Sequence, residues 1–160
     1  IQAPLVLRLF DIGVSSVDVA GLGGTNWARI EAARRPDGSA AAFEPFLDWG
    51  VPTVDALLSV RAACPQGRLI ASGGIANGLD AGKALWLGAE MASMAGPVLK
   101  AISKDGTGTP DIDMASEMIQ LWQEQLRLAL FLTGAHDLAS FARVGGRLDG
   151  QPFVPMPGAT

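Results

Sequence analysis

Glycine closes three short apolar runs: Gly21, Gly23 and Gly24 follow 15–20, Gly73 and Gly74 follow 68–72, and Gly96 follows 90–95. Without a Cβ, a backbone can turn sharply and come close to a bound group with its N–H donors exposed. Behind the last two runs a helical pattern starts at once, so the unpaired N–H groups and the positive end of each helix dipole converge on one place. The chemistry this pattern offers is anion binding, with Ser72-Gly73-Gly74-Ile75 and Ala95-Gly96-Pro97 as the candidate phosphate site. A tight turn would account for glycine at one strand end; two consecutive strand ends with helices behind them favour the phosphate reading.

Other chemistry-bearing residues are less organised. Gly21-Leu22-Gly23-Gly24-Thr25-Asn26 fails the dinucleotide fingerprint, because Asn26 stands at the third glycine and no acidic residue ends a strand about 20 residues on. His136 is the one histidine and has no Ser or Cys in a nucleophile arrangement, so a surface or structural role is expected. Asp18 lies within a strand and points either into a barrel or towards its helices. Glu31, Glu44, Asp48 and Asp55 lack metal-ligand spacing and are expected to face solvent. Trp27, Trp49, Trp86 and Trp122 read as core or helix-packing residues, although Trp27 and Trp49 flank the glycine loops.

Alternating elements must position these residues. Apolar spacing predicts a helix over 3–10 stopped by Gly13, a strand over 15–20, and a helix over 27–35 followed by a turn at 36–39. A loop at 49–53 leads to a helix near 54–64, and the second strand covers 68–72. Asn77 caps a helix over 78–87, the third strand covers 90–95, and a short helix covers 97–103. A polar loop at 104–110 precedes the longest helix, 114–133, with Asp113 as cap, Gly134 as stop and Met118, Trp122, Leu126, Ala129 and Leu130 as its buried stripe. Strands this apolar should be buried on both faces of a parallel sheet joined by right-handed crossovers. The fold class is therefore α/β.

Three strands do not close such a sheet, and a (β/α)8 barrel needs about 250 residues. The chain reads as the C-terminal portion of that barrel, about strands 6–8. Residues 1–147 form part of a single domain, and 148–160 are an irregular tail. Ile1 falls inside a helical pattern, which marks the chain as a piece of a longer protein.

Composition narrows the function classes. The 160 residues are 49% apolar and 18% charged, which excludes a disordered chain. A net charge of −4 argues against a nucleic-acid platform. No apolar run approaches the 18–20 residues, roughly, that span a bilayer. One cysteine, Cys64, cannot make an internal disulfide or anchor a metal cluster, so a reducing, cytoplasmic setting is expected.

With these elements in place, Val17-Asp18-Val19-Ala20-Gly21-Leu22-Gly23-Gly24-Thr25-Asn26-Trp27, Asp48-Trp49-Gly50-Val51-Pro52-Thr53, Ala71-Ser72-Gly73-Gly74-Ile75, Asn77-Gly78-Leu79-Asp80, Leu87-Gly88-Ala89, Met94-Ala95-Gly96 and Leu132-Thr133-Gly134-Ala135 together resemble the C-terminal half of type 2 isopentenyl diphosphate isomerase. The resemblance covers roughly residues 1–145; Ser-Gly-Gly-Ile is shared with many FMN barrels, whereas Gly-Gly-Thr-Asn-Trp and Asp-Trp-Gly-Val-Pro-Thr are more specific. It implies a (β/α)8 flavoprotein that interconverts isopentenyl and dimethylallyl diphosphate. FMN would be reduced by NADPH and act in proton transfer, while Mg²⁺ neutralises the substrate diphosphate. By the same resemblance Thr25 contacts FMN, the backbone of Gly74, Ile75 and Ala76 holds the flavin phosphate, and Ala95 and Gly96 complete the cradle. Ala76 departs from the arginine of many members. The family's catalytic and metal-binding side chains lie upstream of this chain, and its members form homo-oligomers. Two alternatives stand beside this reading: another FMN-dependent barrel oxidoreductase, and a non-catalytic protein that completes its sheet by self-association.

Overall fold

A computed structural model describes residues 1–35, 39–103 and 110–155. The expected turn at 36–39 lies outside the described residues except for Ser39, and so does 104–109 of the expected polar loop.

Three parallel strands form the centre: β1 (Val17–Ala20), β2 (Leu69–Ser72) and β3 (Met91–Ala92), in the order β1-β2-β3. Val17 is opposite Leu69 and Ile70 is opposite Met91, so the strands run in step towards one common end. Around them lie α1 (Ala3–Asp11), α2 (Trp27–Ala33), a 3-10 helix (Ser39–Phe46), α3 (Thr53–Ala63), α4 (Gly78–Trp86), α5 (Gly96–Ile102) and α6 (Ile112–Thr133). The α/β alternation read from apolar spacing is thus present.

Expected burial on both strand faces is corrected. Val17, Val19, Leu69 and Ala71 are buried in the core with Val6, Leu57 and Val60, whereas Asp18 and Ala20 of the opposite face are exposed and Ile70 and Ser72 half-buried. Helices cover one face of the sheet only. The third strand is also shorter than 90–95, because pairing with β2 ends at Ala92 and only Ser93 N–H continues it, to Ala71 O at 2.8 Å.

Local chemistry explains the helix ends. Asn77 caps α4 through Oδ1, which accepts from Asp80 N–H at 2.8 Å. An Asn77→Ala substitution is expected to cost about 1 kcal/mol of unfolding free energy, measured by chemical denaturation; no change would show that water replaces the cap at no cost. The long helix begins at Ile112, not 114, and its cap is Asp111 rather than Asp113: Asp111 accepts from Met114 N–H at 2.9 Å. Both aspartates fit the sequence pattern, and backbone geometry selects the first. Gly134 ends the helix at φ 73°, as expected of a left-handed stop. The stripe Met118, Trp122, Leu126, Ala129 and Leu130 is half-buried. Close packing of α6 on α4 requires glycine, since a Cβ on Gly78 would fall 2.0 Å from Trp122 O.

The tail is not irregular throughout. After α7 (Leu138–Phe141), β4 (Gly146–Leu148) and β5 (Gln151–Phe153) pair as an antiparallel hairpin. Asp149 and Gly150 form its turn, both at positive φ, which is the two-residue turn that Asp-Gly favours. Phe153 then packs edge-on against Trp86, ring centres 5.2 Å apart, and Trp86 Nε1 donates to Val144 O at 2.7 Å.

Candidate functional site

Two glycine turns meet at the C-terminal end of the sheet. Gly73 and Gly74 adopt φ of 89° and 79°, and Gly23 adopts 121°, all left-handed values that disfavour a side chain. The turns also press together. A Cβ on Gly24 would lie 2.8 Å from Gly73 Cα, and one on Gly73 would lie 2.6 Å from Gly21 O. Glycine is therefore required by backbone-to-backbone contact as well as by the turn.

The start of α3 joins them. Leu22 N–H donates to Val51 O at 2.7 Å, and Leu22 bridges Pro52. Thr53 Oγ1 donates to Gly73 O at 2.6 Å and lies 3.4 Å from both Leu22 O and Ser72 O. Thr53 escapes a reading of the sequence that looks for nucleophiles, metal ligands or glycine; its signals are a hydroxyl at the first helical position after Pro52 and its place at the end of the 48–53 segment.

Among the described residues, the N–H groups of Gly74 and Ile75 have no hydrogen-bond partner, and Gly74 is exposed while Ile75 is buried. Ile75 belongs to the buried core and so anchors the turn. Ala76 is placed differently, because its N–H lies 3.4 Å from Asp80 Oδ2. The first amide of α4 is taken as well: Gly78 N–H donates to Gln125 Oε1 of α6 at 2.8 Å. The donors open to an anion are thus those of the glycine turn, ahead of the helix proper.

Thr25 is exposed beside Gly23 and Gly24 in a cavity that Asn26, Arg29 and Asp48 also line. Asn26, which breaks the dinucleotide fingerprint, caps α2 by accepting from Arg29 N–H at 2.9 Å, and its amide donates to Leu47 O. Ala95 and Gly96 are exposed at the end of β3, the strand beside β2, so they leave the sheet at the same end as Gly73 and Gly74. A Cβ on Gly96 would meet nothing within 4 Å, so packing does not demand glycine there.

The remaining candidates separate clearly. Asp18 lies on the open sheet face and accepts from Ser72 Oγ at 2.7 Å, which resolves the two orientations left open by the sequence. Trp27 and Trp49 correct the core expectation, being 76% and 78% exposed along a second open cavity that Thr25 and Asn26 also line. His136 is exposed and only its backbone N–H is engaged, by Ser140 Oγ. Burial pushes the Cys64 thiol up, which makes it a poor nucleophile. Among the described residues, no group of three or more His, Cys, Asp or Glu side chains is placed to hold a metal, and no helix is long and apolar enough to cross a membrane.

The chain that carries this backbone cradle has known relatives. The family described as FMN-dependent dehydrogenase matches residues 5–144. The chain belongs to the FMN-dependent dehydrogenase family. Within it, an isopentenyl-diphosphate delta-isomerase of Stutzerimonas stutzeri (strain A1501) is 48% identical over 140 residues, covering 87% of this chain and 39% of that protein. A protein of the same name from Xanthobacter autotrophicus (strain ATCC BAA-1158 / Py2) is 46% identical over 137 residues, 86% of this chain and 38% of its own length. The resemblance drawn from the Gly-Gly-Thr-Asn-Trp and Asp-Trp-Gly-Val-Pro-Thr segments agrees with these relatives. The chain spans about two-fifths of their length, at 39% and 38%.

Solved structures of the same architecture include a mandelate oxidase variant with 2-hydroxy-phenylacetamide, at TM-score 0.61 and 21% identity over 96% of this chain and 37% of that one. A GMP reductase from Trypanosoma brucei aligns at TM-score 0.62 and 19% identity, over 89% of this chain and 31% of that one. At these identities the likeness concerns the fold alone.

Proposed function

We propose that this member of the FMN-dependent dehydrogenase family contributes the C-terminal portion, about strands 6–8, of the (β/α)8 barrel of a type 2 isopentenyl diphosphate isomerase. Residues 1–147 would belong to that barrel, with 148–160 following it. The reaction moves a double bond between isopentenyl and dimethylallyl diphosphate by adding a proton at one end of the allylic system and removing one at the other.

The observation that carries this reading is the pair of unpartnered amides at Gly74 and Ile75, in a turn where a Cβ on Gly73 would fall 2.6 Å from Gly21 O. Such a concavity of N–H groups suits a phosphate, and phosphate sites in barrels form behind the last two strands. FMN fits it by the donor chemistry. Gly74 and Ile75 would hold the phosphate, Thr25 would touch the flavin from the neighbouring turn, and Ala95 and Gly96 would close the far side. Ala76 contributes less, since its N–H faces the Asp80 carboxylate. When bound and reduced, FMN supplies the acid and base of the proton shift. This chain's own residues would bind and orient it: the amides would donate hydrogen bonds to the phosphate, and the glycine contacts keep the turns close.

Mg²⁺ on the substrate diphosphate and NADPH as reductant belong to the same proposal, with the metal held by residues outside this chain. A homo-oligomeric, cytoplasmic enzyme acting on a small diphosphate completes it. The full-length protein, loaded with FMN and Mg²⁺, is expected to convert isopentenyl diphosphate without stoichiometric NADPH consumption. NADPH oxidation matching product formation would replace the isomerase reading with a barrel oxidoreductase.

A further inference from the structure

Thr53 holds a carbonyl at the back of the candidate phosphate turn. Its hydroxyl carries one proton and has three carbonyls in reach; Gly73 O at 2.6 Å is the strong acceptor, while Leu22 O and Ser72 O lie at 3.4 Å. A trans peptide is planar, with its C=O and N–H on opposite sides. Drawing Gly73 O towards Thr53 therefore turns the Gly74 N–H away from α3, to the exposed side of the turn. Gly73 and Gly74, at φ 89° and 79°, have no Cβ to resist rotation of that peptide, so the turn needs an external restraint.

Thr53 is well placed to act as one. It opens α3, whose residues Ala56, Leu57 and Val60 are buried, so its position is set by the core rather than by a loop. A Cβ on Gly21 would fall 2.5 Å from Oγ1 and 2.3 Å from Thr53 Cα, which leaves the residue little room to withdraw. From these contacts we infer that Thr53 is a positioning residue: by fixing the Gly73 carbonyl it aims the Gly74 N–H at an anion and makes the site select a phosphorylated flavin over an unphosphorylated one. This inference rests on the FMN reading above.

The test compares FMN with riboflavin, which lacks only the phosphate, in the apo form of the full-length protein, by quenching of flavin fluorescence. Thr53→Val keeps the shape and removes the hydroxyl; Thr53→Ser keeps the hydroxyl. Thr53→Val is expected to weaken FMN about tenfold and leave riboflavin affinity unchanged, with Thr53→Ser close to wild type. Unchanged FMN affinity in Thr53→Val overturns the inference. So does an equal loss of FMN and riboflavin, which reports a general collapse of the turn, and so does a Thr53→Ser protein that behaves like Thr53→Val. If the wild-type protein binds both flavins equally, the phosphate assignment itself fails and the inference falls with it.

Discussion

Gly74→Asp lowers FMN affinity at least a hundredfold, about 2.8 kcal/mol at 1.4 kcal/mol per factor of ten, when apo protein is titrated with the cofactor. Two effects act together. Gly74 adopts φ 79°, so any side chain strains the turn by roughly 1–2 kcal/mol. The added carboxylate would also stand beside the two amides proposed to hold the phosphate, where like charges repel in a partly shielded site. Space is not the obstacle, because a Cβ there would be 3.4 Å from Gly23 Cα, an ordinary contact. Gly74→Ala separates the two effects: it carries the strain without the charge and is expected to lose about tenfold or less. An aspartate variant that binds FMN as wild type does would remove the phosphate from this turn.

Arg61→Met destabilises the protein by roughly 3–5 kcal/mol in chemical denaturation and leaves the affinity of the folded protein for FMN unchanged. Arg61 is 1% exposed and the one charged residue in the core of the described chain. Its Nη1 donates to Pro65 O at 3.0 Å and Gly67 O at 2.8 Å, and its Nε and Nη2 donate to Gly88 O. Nη2 also pairs with Glu90 Oε1 at 3.0 Å, and Glu90 Oε2 accepts from Leu69 N–H at the start of β2. Methionine fills a similar volume but leaves these carbonyls and the carboxylate unpaired, and that desolvation is the cost. Lysine cannot reproduce the planar fork, so Arg61→Lys is expected to recover only part of the loss. The residues Arg61 ties, 65–67 and 88–90, precede β2 and β3, whereas the glycine turns follow them, so the Arg61 cluster and the proposed cofactor site lie at opposite ends of the sheet. A loss below about 1 kcal/mol would show that water reaches the cluster.

Much of this was legible in the sequence. Asn77 before Gly78 and Gly134 after Thr133 mark helix ends because a short side chain or a missing Cβ solves a local hydrogen-bonding problem. The glycines at the strand ends were equally visible as turns. Asp149-Gly150 carries a hairpin signal too, but its strands are three residues each and too short to show alternation. The choice of Asp111 over Asp113 could not be read, since both offer the same carboxylate and the selection depends on where the backbone leaves the loop. Trp27 and Trp49 misled because large apolar side chains are normally buried, and here they line an open cavity.

The residue types and their spacing determined the α/β alternation, the glycine turns and the family, because each depends on contacts within a few neighbours or on motifs that survive as words. Tertiary structure decided what the glycines are for. That Gly24 lies against Gly73 and that Thr53 reaches across to Gly73 O depend on segments far apart in sequence meeting closely. Periodicity carries no record of such distances, since a glycine needed for a turn and a glycine needed for another backbone's approach are the same letter.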